Sequence, residues 1–592
     1  MISVITEKAK SSKWTHDMKE LTSSYTKPKT LELQKKLQKQ YMLKQILINY
    51  PDKELESMVL AITSIHELIN GFKLKRWTCQ EVMRIYCKLA LELNENTFCI
   101  GEIFMEDAIQ QAIEKDQYFW ITGELLGPLH GLPVIFSDEC DVSGIDSTLG
   151  CACRSMNPSM TDAPLVEQIK HLGGIPFCKT NVPWHLVFSE ASNPVFSTTI
   201  NTKNENVSLG GRCGALALLL SLSNCFVGFG TDQAGGLRIP ANHAGIFTLK
   251  PTSTRLRRLT STLGHWDLLA PSSGPMSCSL ENLTFMYQTL LSGSITPKPS
   301  HFNNHIYNEV VNGKKLRVGM YVDDNVVRAS PTARRAVATV ANRLVEKGHT
   351  VVNFHPPDTQ EAIILYSKLF SSDRANPECF QVQQTQLNVA VSLLPMYLVN
   401  RIPQYIRSWI CYGLGIFMQD SVLTALSTFF GGGSTSKSSR NLSELHELEL
   451  ERERYCKLFE SAMSNPEIDI LICPVTACPP LPSVSSPFVW PGSFYSSLFN
   501  LLDYPSGIIP NVTQVLETDR VPNAIRYIHD NMFVLRTARN FNLMAVTAIE
   551  ETNLCIKNKS ILGIPVGVQI VSKPNNEEMV LAAMKVIQTL LE

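Results

Sequence analysis

Two glycine clusters frame the segment of this chain most able to do chemistry. Gly210-Gly211 and Gly235-Gly236 bracket an apolar run within residues 208–252, and Arg212, Cys213, Asp232 and Arg238 lie beside them. Adjacent glycines permit close backbone approach, and successive N–H groups after them can form a nest for an anion. The amides of Gln233, Ala234, Gly235 and Gly236 are the candidate nest, with Arg212 a nearby cation. Such a pairing suits a carboxylate or a phosphate. GxxxxGK[ST] is absent, which argues against a nucleotide-phosphate loop. Cys213 is a candidate thiol nucleophile, and His185 or His243 could serve as its base. The 16 cysteines follow no repeating frame, and the closest pair, Cys151 and Cys153, has no second pair at metal spacing; no metal site and no cofactor is expected.

The elements that must position these residues are legible in outline. From about residue 130, short apolar runs alternate with Gly/Pro turns: GLPVIF at 131–136, GGIPFCKTN at 173–181 and FVGFGTD at 226–232. This is the texture of buried strands with helices between them. Residues 316–355 predict a complete βαβ unit. LRVGMYV is a strand, Ser330-Pro331 starts a helix, Gly348 ends it, and TVVNF is the next strand. Upstream, 31–49 is an amphipathic helix in an arm covering residues 1–50, and helical patterns follow near 53–70 and 78–95. Asn441 with Glu444 resembles a capping box for a helix reaching about 463.

Composition narrows the function classes. Lys+Arg total 53 and Asp+Glu 54, a balance that points away from nucleic-acid binding. Hydrophobic residues at 44% suffice for a large core, while charged residues at 18% fall below the usual quarter, so an apolar surface segment is expected. Residues 391–430 are the candidate: large apolar residues with Arg401 and Arg407 among them, broken by Pro395, Pro403, Gly413 and Gly415. They read either as buried core helices or as a segment lying in a membrane interface. The polar N-terminus lacks a secretory apolar region, and no 18-residue apolar run occurs. The expectation is an intracellular, cytoplasmic location, peripheral on endomembranes if 391–430 engages lipid.

Several ordered motifs resemble the amidase signature family. GLPV at 131–134, DSTLG at 146–150, KTNVPWHLVFSEASNPVF at 179–196, GTDQAGGLRIPANHAGIFTLKPT at 230–252 and GIPVGVQIVS at 563–572 fall in the family's order, and the resemblance spans roughly residues 50–592. The helical arm, the GTD context and the apolar 391–430 segment look most like the fatty-acid amide hydrolase branch. The resemblance implies an α/β fold: a large twisted mixed β-sheet core flanked by many α-helices. It implies one domain over 51–592, with the signature region at 130–252 and a membrane-cap insertion at 391–430. It also implies a fatty-acid or fatty-amide ligand and a homodimer.

Members of that family cleave linear amides with a Ser–Ser–Lys triad. A neutral lysine draws a proton through a bridging serine from the nucleophilic serine, and backbone N–H groups ahead of the nucleophile form the oxyanion hole. This chain departs from the pattern at all three positions. The lysine position falls on Ser137, the bridging serine on Arg212 and the nucleophile on Gly236, while Cys213 takes the place of the second serine of the glycine-serine motif. Glycine carries no nucleophile, and arginine, with a pKa above about 12, cannot relay a proton. Thr231, Asp232 and Arg238 keep the family pattern, and Asp232 and Arg238 are expected as a buried supporting pair. The first reading is therefore a pseudoenzyme that binds a lipid, an acyl ligand or a partner at the membrane surface. The alternative is an active amide or ester hydrolase rerouted through Cys213. If the site is plugged, Arg212 is expected to pair with Asp138 or Glu139.

Overall fold

A computed structural model describes residues 28–47, 50–186, 190–202, 204–205, 207–259, 268–293, 301–373, 442–465, 467–482, 490–528 and 543–592. Segment 391–430, the expected membrane cap, lies outside the described residues, as do 1–27 of the arm.

Among the described residues, eleven strands build the central sheet. They are β1 (Ile100–Ile103), β2 (Pro133–Ser137), β3 (Ile175–Thr180), β4 (Gly228–Asp232), β5 (Phe247–Lys250), β6 (Ser272–Ser277), β7 (Arg317–Met320), β8 (Thr350–Asn353), β9 (Ile470–Cys473), β10 (Ser506–Gln514) and β11 (Pro565–Val571). Their spatial order is β1-β3-β2-β4-β6-β5-β10-β11-β9-β7-β8. The β3–β2–β4 and β9–β7–β8 pairings are parallel. The remaining pairings are antiparallel, so the sheet is mixed. Every residue of β2, β3, β4 and β6 is buried, as strands covered on both faces must be.

The helices that cover the sheet follow their local signals. Nine matter to the site and its surroundings: α1 (Pro28–Ile46), α2 (Lys53–Ala61), α3 (Ile65–Lys73), α4 (Cys79–Thr97), α5 (Met105–Thr122), α6 (Gly214–Ser223), α7 (Arg238–Ala244), α8 (Pro331–Glu346) and α9 (Phe494–Leu501). Thr78 and Glu81 close a capping box on α4. Ser330 accepts from the Ala333 N–H and Pro331 opens α8, so the βαβ unit predicted for 316–355 is present, with β7 and β8 parallel. A helix also covers Leu442–Ser464.

Two helical expectations change. The arm helix runs 28–46 rather than 31–49, and it packs on α4. The 53–70 pattern is two helices, because Ile62 turns extended and a new helix starts after Ser64. The side chain of Asn282, far along the chain, fixes this break. It accepts from the Ile65 N–H at 3.0 Å and donates to the Thr63 carbonyl at 2.7 Å.

Candidate functional site

The site forms where β2 and β4 end side by side. These strands pair in parallel through Ile135–Gly228 and Phe136–Phe229, which brings Ser137 to the level of Gly230 and Thr231. Between the glycine clusters, α6 (GALALLLSLS) is apolar on nearly all sides, and eight of its residues are buried; it anchors the loop that carries Arg212 and Cys213. That loop lies against the second cluster, with the Cys213 N–H donating to the Gly236 carbonyl at 3.2 Å. Gly230 is needed here, since a Cβ on it would collide with the Cys213 Sγ and stand 3.5 Å from the Ser137 Cβ. Ser137, Arg212, Cys213 and Gly236 are thus brought together.

Their polar groups form one chain of hydrogen bonds. The Ser137 hydroxyl donates to Glu139 Oε2. The other oxygen of that carboxylate accepts from the Thr231 N–H at 3.2 Å and the Thr231 hydroxyl at 3.0 Å. Thr231 Oγ1 in turn accepts from Arg212 Nη1 at 2.7 Å, and Arg212 Nη2 reaches the Leu186 carbonyl at 3.5 Å. The expected direct pairing of Arg212 with Asp138 or Glu139 is not what forms. Among the described residues no carboxylate stands within 4 Å of Arg212, because Thr231 interposes its hydroxyl between guanidinium and Glu139. Asp138 is committed elsewhere, accepting from the Thr148 hydroxyl and the Leu149 N–H at 2.8 Å each and facing Lys179 at 3.6 Å.

Asp232 and Arg238 are the buried pair expected of them. Both side chains are fully buried and joined by two bonds of 2.9 Å. Arg238 also donates to the Ser496 carbonyl, Gln569 Oε1 and Asn500 Oδ1 at 2.6–2.8 Å, which ties the loop to α9 and β11. Burial alone would raise the Asp232 carboxyl, but the Arg238 guanidinium outweighs it and holds the group well below the usual carboxylate range.

This pair changes the nest. The Gly235 N–H donates to Asp232 Oδ1 at 2.9 Å and the Leu237 N–H to Oδ2 at 3.1 Å, so Gly235 is withdrawn from the four expected amides. The N–H groups of Gln233, Ala234 and Gly236 have no acceptor among the described residues. Ala234 and Gly236 are also partly exposed, so the nest is reachable. Gln233 Oε1 is buried and unpartnered, while its Nε2 donates to the Leu269 carbonyl at 2.8 Å. At Gly236 a Cβ would stand 2.8 Å from the Thr231 carbonyl and 3.3 Å from the Arg212 Cβ, so the absent side chain's space is partly taken by arginine.

Cys213 lies in a poor setting for a nucleophile. It is fully buried, and its Sγ faces the Thr231 carbonyl at 3.8 Å. Burial, reinforced by Glu139, pushes the thiol well above its ordinary pKa, which disfavours thiolate. His243 is half-buried; its Nδ1 lies 3.2 Å from the Ser208 carbonyl, and loss of water around the ring lowers its pKa to about 4.

Two participants were missed by reasoning from the sequence. Glu139 is the hub of the chain, whereas it stood only as one possible partner for Arg212. Lys179 is fully buried on β3, one residue before the strand partner of Ser137. Its Nζ donates to the Asp146 carbonyl at 2.6 Å and Ser147 Oγ at 3.0 Å, which commits it to the 146–147 loop. A lysine within an otherwise apolar strand, IPFCKT, was the available signal.

Comparison with known proteins agrees with this layout. A family model described as "Amidase" matches residues 81–581. "Fatty acid amide hydrolase 1" of Caenorhabditis elegans is 30% identical over 529 residues, covering 86% of this chain and 85% of the relative. "Fatty-acid amide hydrolase 1" of Sus scrofa is 26% identical over 551 residues, covering 91% and 87%. Among solved structures, one titled "Fatty acid amide hydrolase" superposes with a TM-score of 0.73 at 21% identity, covering 95% of this chain and 90% of that one. A bacterial aryl acylamidase of the amidase signature family gives 0.65 at 15% identity, covering 89% and 96%. The architecture is thereby the amidase-signature α/β fold.

Proposed function

Because the chain belongs to the amidase family and is similar to its fatty acid amide hydrolases, we propose that it is a non-hydrolytic member, a pseudoenzyme whose former active site holds the carboxylate of an acyl ligand. The observation that carries this reading is Gly236. The position facing the open nest has no nucleophile, and Arg212 stands against it. Two N–H groups of the guanidinium are spent on Thr231 and Leu186, leaving three without acceptors among the described residues. A carboxylate can take a charge-assisted bond from arginine and further bonds from the amides of Gln233, Ala234 and Gly236. A neutral scissile amide would gain less from the cation.

A fatty-acid chain is favoured as the rest of the ligand by similarity to relatives named for fatty-acid amides. Rerouted hydrolysis through Cys213 gains no support from a fully buried thiol whose pKa is raised.

The test has two arms. A fluorophosphonate probe should leave the purified chain unlabelled, and stoichiometric serine labelling would end the pseudoenzyme reading. In the second arm, calorimetry with a long-chain fatty acid should detect binding that weakens about 10- to 100-fold in Arg212→Gln, as loss of a hydrogen bond to a charged group implies. Equal affinity in both proteins would remove Arg212 from the ligand site.

A further inference from the structure

Away from the site, the ends of α3 and α5 meet at one corner of the molecule. Phe72 of α3 and Phe119 of α5 both contact the His130 ring, with centroids at 6.1 and 6.2 Å. Lys75 Nζ lies 5.9 Å from the centre of the Phe119 ring. The Leu126 N–H donates to His130 Nδ1 at 3.0 Å, which folds the loop after α5 onto the same point. These contacts bury the aromatic rings and turn their sequence neighbours outward. Trp120 is 63% exposed, Ile121 84%, Leu74 53% and Leu126 40%. Water-facing residues of this size concentrated at one corner mark an interaction surface rather than ordinary scatter.

Charge identifies the occupant. Lys73, Lys75 and Arg76 are exposed beside the apolar residues, and none has a carboxylate within 4 Å among the described residues. Glu124 is the exposed acid in the loop that follows α5. Gly123 ends α5 in the left-handed conformation, so Trp120 and Ile121 project from a terminal turn rather than lining a groove. A projecting Trp/Ile tip ringed by Lys and Arg matches the headgroup boundary of an anionic bilayer, where indole sits at the interface and cations meet lipid phosphates. A second copy of this chain fits poorly, because a two-fold contact centred on this corner would gather two sets of the same three cations, six in all, in one interface.

We propose that the corner formed by Leu74, Trp120, Ile121 and Leu126 with Lys73, Lys75 and Arg76 is a docking surface for anionic lipid membranes, separate from the 391–430 segment. Insertion of the apolar tip and attraction of the three cations act together, so binding depends on both lipid charge and salt.

Flotation of the full chain with phosphatidylcholine vesicles, with and without phosphatidylserine and at low and high salt, tests this. The wild type is expected to float with the phosphatidylserine vesicles and to be released by salt. The combined Lys73→Gln, Lys75→Gln, Arg76→Gln variant should lose roughly fivefold in partitioning per charge, about 100-fold together. Trp120→Glu with Ile121→Glu should abolish flotation, whereas Met160→Glu, at another exposed apolar residue, should leave it unchanged. All these side chains are exposed, and unchanged melting curves will establish that the variants fold. Wild type that ignores phosphatidylserine overturns the proposal. So does equal flotation of the patch variants, which would place the contact elsewhere, on 391–430 among other segments. A patch variant that alters the mass of the chain in solution but not its flotation would assign the corner to a second copy and likewise overturn it.

Discussion

Replacing Arg238 by methionine should be among the most damaging single changes to this protein. The substitution keeps much of the buried volume but removes the cation facing Asp232 and the donors to Ser496, Gln569 and Asn500. Breaking a buried ion pair by deleting one partner costs about 3–5 kcal/mol, because the survivor stays buried and uncompensated. At about 2.1 cal/mol/K per residue, a chain of 592 residues melting as one unit has an unfolding entropy near 1.2 kcal/mol/K, so the midpoint should fall by about 2–4 °C. Asp232→Asn should cost a similar amount. The double variant should fall well short of the sum, because neither charge is then left alone, and the coupling should reach about 2 kcal/mol. The pH dependence supplies a second readout. In the wild type the Asp232 carboxyl is held below its unfolded value, so its contribution is present above about pH 4 and is lost only in strong acid. In Arg238→Met the bare buried carboxyl has a raised pKa, so the variant's deficit should narrow as pH falls from 7 towards 5. Differential scanning fluorimetry of the four proteins across that range is the assay. Additive losses, or a deficit independent of pH, would refute the pair as the support of the nest.

Three other outcomes follow from particular contacts. Gly230→Ala should destabilise by about 1–3 kcal/mol, since its Cβ meets the Cys213 Sγ, and Cys213→Ala in the same chain should restore most of the loss on thermal melting. Burial lowers His243 to about pKa 4, and burial with nearby Lys115 does the same to His130. Their contribution is full above the ordinary value near 6.5 and drains as pH falls towards 4, so His243→Gln should flatten the stability profile in that window. Lys35→Met should leave Glu102, whose carboxyl burial already raises, without its buried partner; hydrogen exchange should then rise across α1 while the sheet stays protected.

Much of the fold was legible because the signals were local. The βαβ unit around α8 carries its own strand pattern, N-cap, proline and terminal glycine within 40 residues. The split between α2 and α3 was not legible, because its cause, Asn282, lies more than 200 residues away. The withdrawal of Gly235 from the nest was equally hidden. Any of four neighbouring amides could face outward until the Asp232 side chain selected its partners.

The sequence by itself determined which side chains exist at three positions of the candidate site: glycine at 236, arginine at 212 and serine at 137. Covalent identity needs no fold, and without a hydroxyl at Gly236 there is no serine there to acylate. Tertiary structure decided how the remaining groups are spent. It put Thr231 between Arg212 and Glu139, buried Cys213 against a carbonyl, and left three amides of the loop without an acceptor among the described residues. The first two outcomes depend on contacts between residues 18 to 92 positions apart. Such partners are set by the order of strands in the sheet, which local sequence patterns do not encode.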